Sequence, residues 1–152
     1  MLSTLPAVAV EAFAGVSDVA LFAMIPAGAV VLDLGCGAGV DTLVAAQRTG
    51  PRGLVVGIDF SAAMLARAQA GTASLGARAA FIRAGGERLP LRDRAIDVAL
   101  VNGIFNLNPA RTAIFSELAR VVRRGGAVYA AELVLVEPVP RAEFTSEADW
   151  FA

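Results

Sequence analysis

Five short apolar runs rich in β-branched residues punctuate the chain: Ala29–Leu34, Leu54–Asp59, Ala79–Arg83, Ile96–Asn102 and Ala127–Val136. Each is almost continuously hydrophobic rather than alternating, which predicts strands covered by helices on both faces. Segments with helical spacing separate them. Alternation of this kind predicts βαβ units feeding a parallel sheet, an α/β fold wound on both sides.

The helical segments carry their own boundary signals. Ser61 stands at an N-cap position before Ala62-Ala63-Met64-Leu65-Ala66-Arg67-Ala68, a run of strong helix formers. Asn108 and Pro109 predict an N-cap and N1 pair, after which Ile114, Phe115, Leu118, Val121 and Val122 keep helical spacing. Arg120, Arg123 and Arg124 fall in the predicted last turns, where cations suit the negative helix end, and Gly125-Gly126 predicts a left-handed stop. An opening helix is predicted over Pro6 to Met24.

Composition narrows the class. A length of 152 residues suits one domain, taken here as 1–152. The hydrophobic fraction of 57% raises the question of a membrane span. The longest uncharged apolar stretch, Val19 to Leu32, has 14 residues and is interrupted by Pro26 and Gly28. That is short of the ~18–20 residues a spanning helix needs, so it reads as core. The first basic residue is Arg48, which leaves no positive n-region for a secretory signal, and a cytoplasmic location is expected. The net charge of −1, with its arginines scattered, gives no footprint for nucleic acid. One cysteine and no histidine exclude a disulfide framework, a Cys/His zinc site and any imidazole base, and no metal is expected.

The chemistry concentrates in Val30-Val31-Leu32-Asp33-Leu34-Gly35-Cys36-Gly37-Ala38-Gly39, a strand running into a glycine-rich turn and then a helix from about Val40. Glycines there let the backbone turn sharply and approach a ligand, and the helix start offers unpaired N–H groups. Asp59 follows at the end of the second strand, where a carboxylate can accept hydrogen bonds from both hydroxyls of a ribose. Together they point to an adenosine-type cofactor. The spacing is G-x-G-x-G, with Val40 where a dinucleotide fingerprint would have its third glycine.

With Asp33 two residues before the first glycine, this segment resembles motif I of the class I S-adenosylmethionine-dependent methyltransferases. The resemblance continues through Gly57-Ile58-Asp59-Phe60-Ser61 and Met64, the Leu89-Pro90 pair, Asn102-Gly103-Ile104-Phe105-Asn106-Leu107 and the Arg123-Arg124-Gly125-Gly126 turn. The stretch from Asn102 to Pro109 is similar to the branch holding the arsenite and the ubiquinone/menaquinone-biosynthesis methyltransferases. The resemblance implies a Rossmann-like sheet, S-adenosylmethionine as cofactor, S-adenosylhomocysteine as product, and a small-molecule or lipid-like acceptor. It places Asp33, Gly35, Cys36, Gly37 and Gly39 around the methionine part and Asp59 on the ribose. Phe60 and Met64 flank the adenine, Gly86 and Glu87 complete that end, and Asn102 lies near the sulfonium. Asp33 could equally tie down the loop backbone.

Two positions depart from the family pattern. An acid four residues before the Leu-Pro pair usually accepts from the adenine amino group, and here that position is Gly85, with Glu87 or a backbone carbonyl as substitutes. Arsenite methyltransferases use several cysteines, one directly after the Asn of the fourth strand, where this chain has Gly103. Arsenic chemistry is therefore not expected. No residue stands out as a general base, which suits methyl transfer, because the sulfonium is already an activated leaving group.

Asp97 reads as a partner for local backbone or an arginine, and Glu132, inside an apolar strand, as facing either the cleft or a partner. The family's sheet order is 3-2-1-4-5-7-6, but little sequence follows the fifth run. The expectation is a sheet 3-2-1-4-5 lacking strands six and seven, in a domain incomplete at its C-terminus. Val128, Ala130, Leu133 and Leu135 would then lie on an open edge, predicting a homo-oligomer through the fifth strand. Two rival functions fit the same residues: a degenerate cofactor-binding scaffold without turnover, and a nucleotide-dependent oxidoreductase.

Overall fold

The computed structural model describes residues 16–106 and 108–134. Its elements run α1 (Val19–Phe22), β1 (Val30–Leu34), α2 (Val40–Thr49), β2 (Leu54–Asp59), α3 (Ala62–Leu75), β3 (Ala79–Arg83), β4 (Ile96–Asn102), α4 (Arg111–Val121) and β5 (Val122–Ala131). The strands form one sheet in the order β3-β2-β1-β4-β5, with every neighbouring pair parallel. Among the described residues no helix is long and apolar enough to cross a membrane.

Alternate side chains of the central strands go to opposite faces, and each face has its own core. Val31, Val55, Val98 and Leu100 pack with α1 and α2, through Val19, Ala20, Leu43 and Val44. Leu32, Leu34, Ile58, Ala99 and Val101 pack with α4, through Ile114, Leu118 and Val121. Leu32, Leu43, Ile58 and Leu100 are completely buried, so truncating one to alanine would cost about 2–5 kcal/mol. The edge strands β3 and β5 are only half covered, unlike the fully buried strands their apolar runs predict.

The predicted boundaries hold best where a local signal is strong. The Ser61 hydroxyl accepts the Met64 N–H at 3.4 Å and starts α3, which Gly76 ends in the left-handed region. Three predictions are corrected. The opening helix is a single turn within the described residues: Ala23 turns extended at its C-cap, ahead of Pro26, and residues 6–15 lie outside the described part. Asn108 does not cap α4. Its side-chain oxygen accepts the Ala110 N–H at 2.8 Å in a turn, and the helix starts at Arg111.

The third correction concerns the glycine pair. The helix ends at Val121 and the chain enters β5 at once, so Arg123 and Arg124 lie on the strand. Gly125-Gly126 serves an irregularity in the β4–β5 pairing, between the Ile96↔Val122 and Val98↔Ala127 partners. Gly125 takes φ +77, and a Cβ on Gly126 would stand 2.7 Å from the Asp97 carbonyl oxygen. Strand structure stops at Ala131, short of the predicted Val136, and residues 135–136 lie outside the described part. Asp97 pairs with Arg123 as expected, but its backbone partner is not local: it accepts the Val30 N–H of β1 at 2.6 Å.

Candidate functional site

The chain winds from β1 outward through β2 to β3 and then returns through residues 84–95 to β4 on the other side of β1, so the strand order reverses between β1 and β4. In open α/β sheets the crevice beyond the strand ends at such a point is where ligands bind. A cavity of about 680 Å³ lies there, lined by Asp33 and Leu34 of β1, Ile58 and Asp59 of β2, and Asn102 of β4. Gly35, Cys36 and Gly37 from the glycine turn, Phe60 and Met64 from the start of α3, and Gly86 and Glu87 from the β3–β4 connection complete the predicted set.

Gly39 is the exception. It occupies the N-cap of α2 with φ +87, and a Cβ there would lie 2.9 Å from the Ala68 Cβ. It packs α2 against α3 and does not line the cavity. Gly37 is the opposite case, with φ +51 and no atom within 4 Å of its Cβ position. Its missing side chain leaves room on the cavity side.

Asp59 is buried and fixes the turn. One carboxylate oxygen accepts the Gly37 N–H at 2.9 Å and the other the Ser61 N–H at 2.8 Å. Each oxygen keeps a lone pair for a further donor. Asp33 is 2% exposed and accepts the Thr42 hydroxyl at 2.5 Å. Burial, and then the neighbouring Asp41 carboxylate, push the Asp33 carboxyl up to about 7 against the effect of Thr42.

Asp41 was not among the predicted site residues. It accepts the Ala20 N–H and the Asn102 amide, each at 2.8 Å, and burial raises its pKa. Neither Asp33 nor Asp41 forms an ion pair among the described residues. Two buried carboxylates without a cation bordering one cavity favour a ligand that brings positive charge.

Asn102 lines the cavity, but its amide is already engaged. Its oxygen accepts the Val16 N–H at 2.8 Å, and its nitrogen donates to the Ser17 carbonyl at 2.6 Å and to Asp41. Cys36 is buried, and burial pushes its thiol well above the ordinary range, so it stays protonated. Phe60 is 76% exposed at the rim. Glu87 holds the Asn108 amide, which lowers its pKa. Val40, Ser61, Gly103, Ile104 and Asn108 also line the cavity without having been predicted. Ser61, Gly103 and Ile104 lie within the stretches that carry the family resemblance, Val40 follows the glycine turn, and the sequence marks Asn108 only as a cap. Among the described residues no cluster could hold a metal ion.

A strand-to-glycine-turn-to-helix unit, with an acid closing the next strand, thus borders a cavity at the sheet's reversal point. Residues 25–151 match the family model described as a methyltransferase domain. The chain belongs to that family. An arsenite methyltransferase of Halobacterium salinarum is 38% identical over 120 residues, covering 78% of this chain and 31% of the relative. A demethylmenaquinone methyltransferase of Bacillus licheniformis is 35% identical over 109 residues, covering 71% of this chain and 46% of the relative. The crystal structure of an arsenic(III) S-adenosylmethionine methyltransferase from Chlamydomonas reinhardtii superposes with a TM-score of 0.84 at 30% identity, covering 93% of this chain and 50% of that one. This methyltransferase domain therefore spans between about a third and a half of the length of these relatives.

Proposed function

We propose that the domain binds S-adenosylmethionine in this cavity and transfers its methyl group to a small-molecule or lipid-like acceptor. The observation that carries the reading is the pairing of Gly37 with Asp59: an open cradle at the turn, tied to a buried carboxylate with acceptor capacity to spare. The S-adenosylmethionine methyltransferase from Chlamydomonas reinhardtii, whose structure superposes on this chain, supports the same cofactor.

Bound there, the cofactor supplies a methyl group on a positively charged sulfur. The protein's part is to orient it. Asp59 accepts from the ribose hydroxyls, and Phe60 and Met64 cover the adenine. The glycine turn passes close to the amino acid end. Asp33 and Asp41 give that end a negative surrounding, which suits a ligand carrying both a sulfonium and an ammonium group. Alignment of donor and acceptor then accounts for the rate without a general base.

The arsenite relatives do not define the acceptor. The one thiol of this chain, Cys36, is buried within the turn and offers no arsenic ligand set. The apolar side chains of Ile104 and Val40 in the cavity lining suit an apolar acceptor. The test is production of S-adenosylhomocysteine, followed by mass spectrometry, when protein and S-adenosylmethionine meet a panel of quinols, phenols and thiols. Stimulation by one acceptor class supports the reading. S-adenosylhomocysteine binding with no turnover on any of them favours a cofactor-binding scaffold.

A further inference from the structure

Glu132 stands just past β5, in a stretch whose other side chains are apolar, and the site described above leaves it without a role. Its carboxylate is seated among three successive backbone N–H groups. One oxygen accepts Ile104 at 2.6 Å and Phe105 at 2.8 Å, and the other accepts Asn106 at 3.4 Å. Consecutive amides converging on one anion form a nest, and hydrogen bonds to a charged acceptor are stronger than neutral ones. The zipper continues on both sides: the Gly103 N–H donates to the Ala131 carbonyl at 2.9 Å, and the Asn106 amide donates to the Leu133 carbonyl.

The loop held in this way forms part of the cavity wall. Gly103, Ile104 and Asn108 all line it. Ile104 rests directly on the glycine turn, since a Cβ built on Gly35 would fall 2.2 Å from the Ile104 Cδ1. Phe105 is buried and stacks on Phe115 of α4 at 4.4 Å, fixing the far side of the loop. The position of Ile104 against the turn thus depends on a carboxylate that lies outside the cavity lining.

We propose that Glu132 is a positioning residue for the methionine end of the cofactor, acting through the 104–106 backbone and Ile104. The proposal rests on the cofactor reading above. It predicts a selective effect: loss of the carboxylate loosens the wall beside Gly35 while the Asp59 and Phe60 end stays in place.

The test compares wild type, Glu132→Ala and Glu132→Gln in two measurements. Hydrogen exchange read by mass spectrometry should speed up at least several-fold at Ile104–Asn106 in Glu132→Ala, with Glu132→Gln between it and wild type. Calorimetry should show S-adenosylhomocysteine weakened several-fold in Glu132→Ala, and partly restored in Glu132→Gln. Binding of 5′-methylthioadenosine, which lacks the amino acid portion, should hold. Unchanged exchange at 104–106 overturns the proposal, and so does an equal loss of both ligands, which is the mark of general loosening. If the wild type itself binds neither ligand, the cofactor reading fails, and the exchange comparison still decides whether Glu132 clamps the loop.

Discussion

Asp59 Oδ2 accepts the backbone N–H of Gly37 at 2.9 Å, so the carboxylate that closes β2 holds the glycine turn that follows β1. Cofactor recognition and turn geometry are thereby joined in one side chain. Asp59→Asn keeps the size but replaces one accepting oxygen with a donor. It is expected to weaken S-adenosylmethionine and S-adenosylhomocysteine alike by roughly ten- to hundred-fold, the equivalent of about 1.5–3 kcal/mol for a hydrogen bond to a charged group. Calorimetry checks this, and unchanged affinity would remove Asp59 from the site.

Gly37 and Gly39 are expected to fail in different ways. Gly37→Val adds left-handed strain of about 1–2 kcal/mol and fills the open cradle, so ligand binding should disappear while circular dichroism stays native. Gly39→Ala pushes a methyl into Ala68, so it should lower the melting temperature and spare the affinity of the folded fraction. The reverse pattern would exchange the roles assigned to the two glycines.

Asp33 makes both stability and binding depend on pH. Its carboxyl sits at about 7 in the fold against an ordinary 3.8, so the folded state holds the proton more tightly than the unfolded chain does. The ligand-free protein should lose stability as pH rises from 3.8 through about 7, and Asp33→Asn should flatten that decline. A cationic ligand prefers the ionised carboxylate, so S-adenosylmethionine affinity should rise from pH 6 to pH 8 in wild type and change little in Asp33→Asn. Melting curves and titrations at the two pH values check both signs.

On the β5 edge Val128 is 44% exposed and Ala130 is also exposed. Among the described residues no strand pairs with this edge, and open edges are templates for pairing with another chain. Sedimentation at micromolar concentration is expected to give a dimer or larger closed assembly. A monomer with fast hydrogen exchange along Val128–Ala131 would contradict this.

The sheet was legible because its signals are local. The runs at 54–59, 79–83 and 96–102 coincide with β2, β3 and β4, since apolar β-branched stretches of that length have few other stable uses. About half of the cavity lining was legible too, because the glycine turn and Asp59 sit on consecutive units of the chain. What stayed hidden depends on distant partners. Nothing near Asn102 in the sequence indicates that its amide is shared between Ser17 and Asp41. Glu132 stood out as an acid in an apolar run, but its three backbone donors come from the loop after β4. The start of β5 was misplaced because Gly125-Gly126 carries the same signal for a helix stop as for an irregular strand pairing.

An S-adenosylmethionine site in the cavity lined by Gly37 and Asp59 meets its most direct test in one calorimetric titration of the purified protein with S-adenosylhomocysteine and with NAD. Saturable one-to-one binding of S-adenosylhomocysteine, clearly tighter than that of NAD, is expected. Tighter binding of NAD, or no heat with S-adenosylhomocysteine from a folded protein, would contradict it.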